Sequence, residues 1–228
     1  MNFVKRDKFT SQILGYNSYL AYRKITSQNL DKIKEPFFLT LKLSNNKHIK
    51  IKSKKIKIEF NSKLINFVRN FKKEQPVLVK CRAAQKKDIP QLMSIVKEKN
   101  LNSRFDIDKN LPKKFKQQYK RVWIMNYFKG KRGNSLFVSY KNNSIMGFIL
   151  LIKKLKSIQI DLIQTSKKFR EKKVASSLIN FANNQLMKNN YKIIAGTKSD
   201  NLSAIKMYKK LKFTQTKKIS YIYHLHNN

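Results

Sequence analysis

From residue 77 onward, segments of two-residue and 3.6-residue hydrophobic period alternate along the chain, and this order constrains the fold more than any other feature. Val77–Ala83 reads as a strand, then Asp88–Lys99 as a helix with Asp88 at its N-cap and Ile89, Leu92, Ile95 and Val96 on one face. A helix over Lys113–Tyr127 follows, then strands Ser135–Tyr140 and Ile145–Ile152 joined by the turn Lys141-Asn142-Asn143. Strand Ser157–Thr165 leads through a basic loop into helix Lys172–Lys188, which turns Val174, Leu178, Phe181 and Ala182 inward. Strand Tyr191–Thr197, helix Asn201–Leu211 and closing strand material over Thr214–Leu225 complete the series. Strands interrupted by helices, with a hairpin before the central pair, bury their apolar faces as a layered α/β or α+β domain.

The first 75 residues are less regular. Phe37–Leu43 and His48–Phe60 alternate as strands around an Asn45-Asn46 turn, while Ser62–Lys72 places Leu64, Ile65, Val68 and Phe71 at helical spacing. Glu74-Gln75-Pro76 reads as a short linker, so a smaller α/β domain over 1–76 and a larger domain over 77–228 are expected. A hydrophobic fraction of 41%, with 15 Phe and 10 Tyr, suffices for a packed core and argues against disorder. No apolar run approaches the ~18 residues of a membrane-spanning helix. The start, MNFVKRDKFTSQ, lacks the apolar core of a signal peptide, so a cytoplasmic location is expected. The single cysteine, Cys81, excludes an internal disulfide and a cysteine metal cluster, and reads as a buried strand residue; no metal is expected.

The formal charge is +40, from 52 Lys plus Arg against 12 Asp plus Glu. Only 8 of the basic residues are Arg, and Lys, Asn and Ile together make 91 of 228 residues. These three share AT-rich codons, so much of the lysine reads as base composition acting on tolerant surface positions. A reader of nucleic acid more often uses Arg, whose planar fork binds phosphate and guanine bidentately, so nucleic acid is not the expected partner. The field still draws in phosphate-bearing ligands of any kind.

The chemistry concentrates in Ile160–Ala182, a strand, a basic loop and a helix. A helix N-terminus presents unpaired N–H groups and the positive end of its dipole, and Arg170, Lys172 and Lys173 add fixed charge while Ala175, Ser176 and Ser177 leave room for close approach. Farther on, Asn201, Ala204 and Tyr208 share one helical face. Together these segments resemble the GNAT superfamily of N-acetyltransferases. Arg170-Glu171-Lys172-Lys173-Val174-Ala175 matches its coenzyme loop, (Q/R)-x-x-G-x-(G/A), with Lys173 standing at the Gly position. Asn201, Ala204, Tyr208 and Phe213 match its later segment, N-x-x-A-x-x-x-Y-x-x-x-G-F, with Lys212 at the Gly position. If the loop needs a positive φ, Lys173 either crowds the pyrophosphate or swings outward to pair with a phosphate. Upstream, Ser103-Arg104-Phe105, Tyr119, Trp123-Ile124, Asn126 and Gly130, together with Ser11–Tyr19 and the chain length, resemble the dTDP-fucosamine acetyltransferases, which acetylate a dTDP-linked aminosugar.

The resemblance implies a GNAT fold, a mixed central sheet flanked by helices, with acetyl-CoA as co-substrate and direct attack of a neutral amine on the thioester. It implies coenzyme contacts from Ile163, Thr165, Arg170, Lys172, Lys173, Val174, Ala175, Ser176 and Asn201, the splayed strand Leu162–Thr165 holding pantetheine through its backbone. Tyr208 takes the position of the general acid for the leaving thiolate, Asp161 is the first candidate base, with Asp106 and Asp108 behind it, and Arg104, Phe105 and Trp123 are candidate substrate residues. His48, His224 and His226 read as poorly placed for catalysis. A nucleotide-linked aminosugar is the expected acceptor; a protein or peptide amine, or a basic nucleic-acid-binding protein on an inactive scaffold, are the alternatives. The sequence leaves the oligomeric state, a homodimer included, open.

Overall fold

The computed structural model describes residues 3–33, 36–44, 51, 55–71, 74–98, 103–186 and 191–227. In chain order its elements are β1 (Lys5–Arg6), α1 (Lys8–Leu14), β2 (Asn17–Ala21), α2 (Ser27–Asp31), β3 (Phe37–Leu43), β4 (Lys57–Asn70), β5 (Cys81–Ala83), α3 (Ile89–Lys97), α4 (Arg104–Ile107), α5 (Lys113–Phe128), β6 (Ser135–Lys141), β7 (Ser144–Lys154), β8 (Ser157–Thr165), α6 (Val174–Leu186), β9 (Lys192–Lys198), α7 (Leu202–Lys210) and β10 (Thr214–Asn227). All the strands join one mixed sheet in the order β1-β2-β3-β10-β4-β9-β8-β7-β6-β5. The expected mixed α/β sheet flanked by helices is therefore what the chain forms.

Alternation along β7 separates the two faces. Ile149 and Leu151 pack with α6 and α7, including Leu178, Ala182 and Tyr208, whereas Phe148 and Leu150 pack with Leu92 and Ile95 of α3 and Ile124 of α5. Farther along that second face, Phe38 of β3 meets Phe105 of α4 and Phe115 and Tyr119 of α5. Gly147 on β7 permits a close approach, since a Cβ there would lie 2.8 Å from the Gln164 carbonyl and 2.9 Å from Val174 Cγ1.

The largest departure from the sequence reading is Ser62–Lys72. Its described residues form no helix; residues 62–70 belong to strand β4, paired with β9 on one side and β10 on the other. Ile65, Phe67 and Arg69 are buried at every second position, which is the strand period. Two flanking strands satisfy the backbone of β4, and that pairing overrides a local apolar spacing that also suits a helix. The sheet consequently runs across the position expected to divide the chain at residue 76. Glu74-Gln75-Pro76 is held to α6, where Asn184 bonds both the N–H and the carbonyl of Gln75 and Asn180 Nδ2 donates to the Pro76 carbonyl. Asn45-Asn46, His48 and Lys188 lie outside the described residues.

Candidate active site

β8 and β9 run parallel but pair only through Ser157–Gln159 with Lys192–Ile194. Beyond Gln159 they part, so the β9-facing edge of Ile160–Thr165 opens into a cleft, and Ile163 and Thr165 lie on that open stretch. At its end, Ser166 and a short 3-10 turn at Lys167–Phe169 lead to the basic loop. Glu98, at the end of α3, secures this turn: its carboxylate accepts from Ser166 Oγ and from the Lys167 N–H, each at 2.7 Å. The sequence reading missed Glu98 because its partners lie 68 and 69 residues away.

The first bond of the α6 ladder runs from Ser177 N to the Lys173 carbonyl at 3.0 Å. The N–H groups of Val174, Ala175 and Ser176 therefore precede the ladder and are available to an anion. Arg170, Lys172 and Lys173 are exposed around them. Lys173 has φ +58° and Lys212 φ +61°, so each lysine at a family glycine position occupies the left-handed region that glycine suits. The Lys173 side chain is exposed. Ser177 turns inward instead, its Oγ accepting from the N–H groups of Leu78 and Val79.

α7 borders the cleft from the β9 side. Asn201 caps it, accepting from Ala204 N at 3.3 Å and donating from Nδ2 to Thr197 Oγ1 at 3.0 Å. Two turns in, Tyr208 is 2% exposed, its ring packed between Phe67 at 5.4 Å and Phe213 at 5.3 Å. Its hydroxyl has no hydrogen-bond partner among the described residues, and burial raises its pKa well above the ordinary phenol value. Arg69 braces the far end of α7, donating from Nη1 to the Leu211 carbonyl at 3.0 Å and lying 4.9 Å over the Phe213 ring.

Asp161 is not the free carboxylate expected of a base. Its oxygens accept from Trp123 Nε1 at 2.7 Å, Tyr127 OH at 2.8 Å, and Arg132 Nε and Nη2 at 2.7 and 2.8 Å. These donors engage both carboxylate oxygens on the α5 side of β8. The same bonds occupy the Trp123 indole N–H. Gly133, at φ +65°, makes the cluster possible, because a Cβ there would sit 2.0 Å from the Tyr127 ring. Phe105 also has a different place from that expected: it is 4% exposed, enclosed by Phe38, Phe115, Tyr119 and His224. Arg104 beside it is half-buried, 4.3 Å from the Phe105 ring, and has no ion pair or hydrogen bond from its side chain among the described residues. Burial lowers its pKa to about 10, with Asp7 acting in the opposite direction. Of the reserve candidates for the base, Asp106 accepts from Tyr119 OH and Lys120 Nζ, and Asp108 contacts His224 and His226.

A mixed sheet that parts between two parallel strands, with an anion-ready helix N-terminus at the mouth, defines an acyl-coenzyme-binding fold. Residues 93–222 match the sequence profile described as the acetyltransferase (GNAT) domain, and the chain belongs to that family of acyltransferases. A functionally unknown conserved protein of Staphylococcus epidermidis superposes with TM-score 0.65 at 14% identity, covering 96% of this chain and 88% of that one. A GNAT acetyltransferase of Colwellia psychrerythraea gives 0.52 at 13% identity over 75% and 57% of the respective chains. An N-acetyltransferase of Sphaerobacter thermophilus gives 0.53 at 11% identity over 83% and 59%. At these identities the likeness is one of fold. No curated protein sequence matches the chain. Enzymes of this family take acetyl-CoA and an amine, and among the described residues no helix is long and apolar enough to cross a membrane.

Proposed function

We propose that this enzyme transfers the acetyl group of acetyl-CoA to the amino group of a nucleotide-linked aminosugar. The observation that carries the acceptor class is Arg104, a half-buried guanidinium with no carboxylate bonded to it among the described residues, beside an α5 whose Tyr119, Trp123 and Asn126 follow the sugar-acetyltransferase pattern. A half-buried cation without a partner is poorly compensated, and a diphosphate entering from the α1–α5 side supplies one. Acetyl-CoA lies in the parting of β8 and β9, its pyrophosphate on the N–H groups of Val174, Ala175 and Ser176 with Arg170, Lys172 and Lys173 around it, and its pantetheine along the open edge at Ile163 and Thr165. Asn201 acts by capping α7 and so aiming Tyr208.

The neutral amine attacks the thioester carbonyl, the C–N bond forms, and the C–S bond breaks as the tetrahedral intermediate collapses. Tyr208 donates its phenolic proton to the departing sulfur, and burial keeps the phenol protonated in the resting site. Asp161, with its oxygens already engaged, organises the α5 side of the cleft, and the amine proton leaves through water. The test is turnover of acetyl-CoA with a panel of nucleotide-linked aminosugars and, in parallel, amino-terminal peptides. Acetylation of a sugar nucleotide, lost on Arg104→Met, is the expected result. Acetylation of peptides alone moves the acceptor to a protein amine.

A further inference from the structure

Asp108 lies between α4 and α5, and His224 and His226 are alternate residues of β10, so both imidazoles leave the same face of the sheet. The three side chains meet in the interior, all at 0% exposure. Asp108 Oδ2 contacts His224 Nδ1 and lies 3.0 Å from His226 Nε2, and one donor atom from each residue falls within 4.8 Å of the others. Asp108 Oδ1 accepts from Asn110 N at 2.9 Å, which orients the carboxylate. Phe38 and Phe105 wall the cluster, with Phe38 centroids 4.9 and 5.0 Å from the two imidazoles. Arg104 and Asn61 are its neighbours: Asn61 Nδ2 donates to the Arg104 carbonyl at 2.9 Å and lies 3.3 Å from His224 Nδ1.

We propose that Asp108, His224 and His226 hold one divalent transition-metal ion of the zinc class. Two imidazole nitrogens and a carboxylate oxygen converging on one point are a donor set such ions favour. The interior position supplies the second reason: a buried carboxylate requires compensating charge, and among the described residues no lysine or arginine bonds Asp108. Tyr16 OH, Ser18 Oγ and Thr40 Oγ1 are buried without partners among the described residues, and Thr40 stands opposite His224 and Phe38 opposite both His226 and Ser18, so polar groups able to hold a ligand water line the same face. The site lies away from Tyr208 and borders Arg104. His224 pairs with Glu59 of β4 and Tyr208 packs on Phe67 of that strand, which is roughly 25 Å of strand at about 3.3 Å per residue. The ion therefore clasps the α4–α5 segment to the last strand and sets the position of Arg104.

The test uses the full chain, stripped with a chelator and titrated with Co2+ alone. Binding of one Co2+ per chain, with visible ligand-field absorption that Zn2+ abolishes, is expected. His226→Gln and Asp108→Asn should each weaken binding at least ~10-fold, as even outer-shell changes do at metal sites, while Cys81→Ser leaves the spectrum as it was. Should those variants not fold, melting of the unaltered protein decides: Zn2+ raises Tm in a concentration-dependent way if the site exists. A folded protein that neither binds Co2+ nor shifts its Tm with Zn2+ overturns the proposal and makes the cluster a hydrogen-bonded anchor. Stoichiometric binding that survives both substitutions unchanged overturns it as well.

Discussion

Tyr208 combines a ring locked between Phe67 and Phe213 with a hydroxyl that no described protein group engages. Tyr208→Phe keeps the packing and removes the proton, so kcat should fall by ~10²–10⁴ while acetyl-CoA affinity and Tm stay close to the parent. Because burial raises the phenol pKa, the acid stays protonated above the ordinary value of about 10, and kcat should hold level there instead of falling with a free phenol. A rate lost near that pH, or a Phe variant with parental kcat, removes Tyr208 from the proton path. Lys173 and Lys212 offer a test at the backbone. Left-handed geometry costs an L-residue about 1–2 kcal/mol, part of which glycine returns as chain entropy, so Lys173→Gly and Lys212→Gly should each stabilise by up to about 1 kcal/mol. Urea midpoints at constant m measure this, and unmoved midpoints would mean that neither position is strained. The glycine pattern of the family segments made both positions legible from sequence alone, since a glycine kept for its backbone leaves its φ to whatever replaces it.

Between elements, the junction of α5 and β8 depends on one carboxylate. Asp161 has 6% side-chain exposure and Arg132 33%, so breaking this pair should fall at the lower end of the cost for buried ion pairs. Asp161→Asn is expected to destabilise by about 3 kcal/mol, because Arg132 is left without its charge partner and Tyr127 and Trp123 with a weaker acceptor. Thermal or urea unfolding checks the value, and a loss below about 1 kcal/mol would place the pair with ordinary surface ion pairs. Sequence reasoning singled out both Asp161 and Trp123 but not their bond, since their positions are 38 residues apart and Arg132 belongs to a loop without motif. β8, α5 and α7 were read within a residue or two, as their apolar faces repeat at a single period. β4 was misread because its apolar residues fit two periods at once, and its neighbours in the sheet come from the far end of the chain.

Across the whole molecule, β4 stands between β9 and β10, so residues on either side of position 76 share one sheet. A fragment over 77–228 loses β4, exposes an edge on both β9 and β10, and strips Phe67 from Tyr208. It should be recovered as aggregate, whereas the full chain unfolds in one cooperative step. A soluble fragment with its own cooperative transition would instead make position 76 a boundary between independently folding units. What the residues alone specified here is local: periods of two and 3.6 in most elements, an anion-ready loop before α6, and a tyrosine on the same helical face as its cap. Backbone geometry and hydrophobic pattern act over a few residues, so a linear reading reaches them. The insertion of β4, the occupation of Asp161 and the meeting of Asp108 with His224 and His226 across 116 and 118 residues arise from packing, which brings together groups whose sequence separation carries no periodic signal.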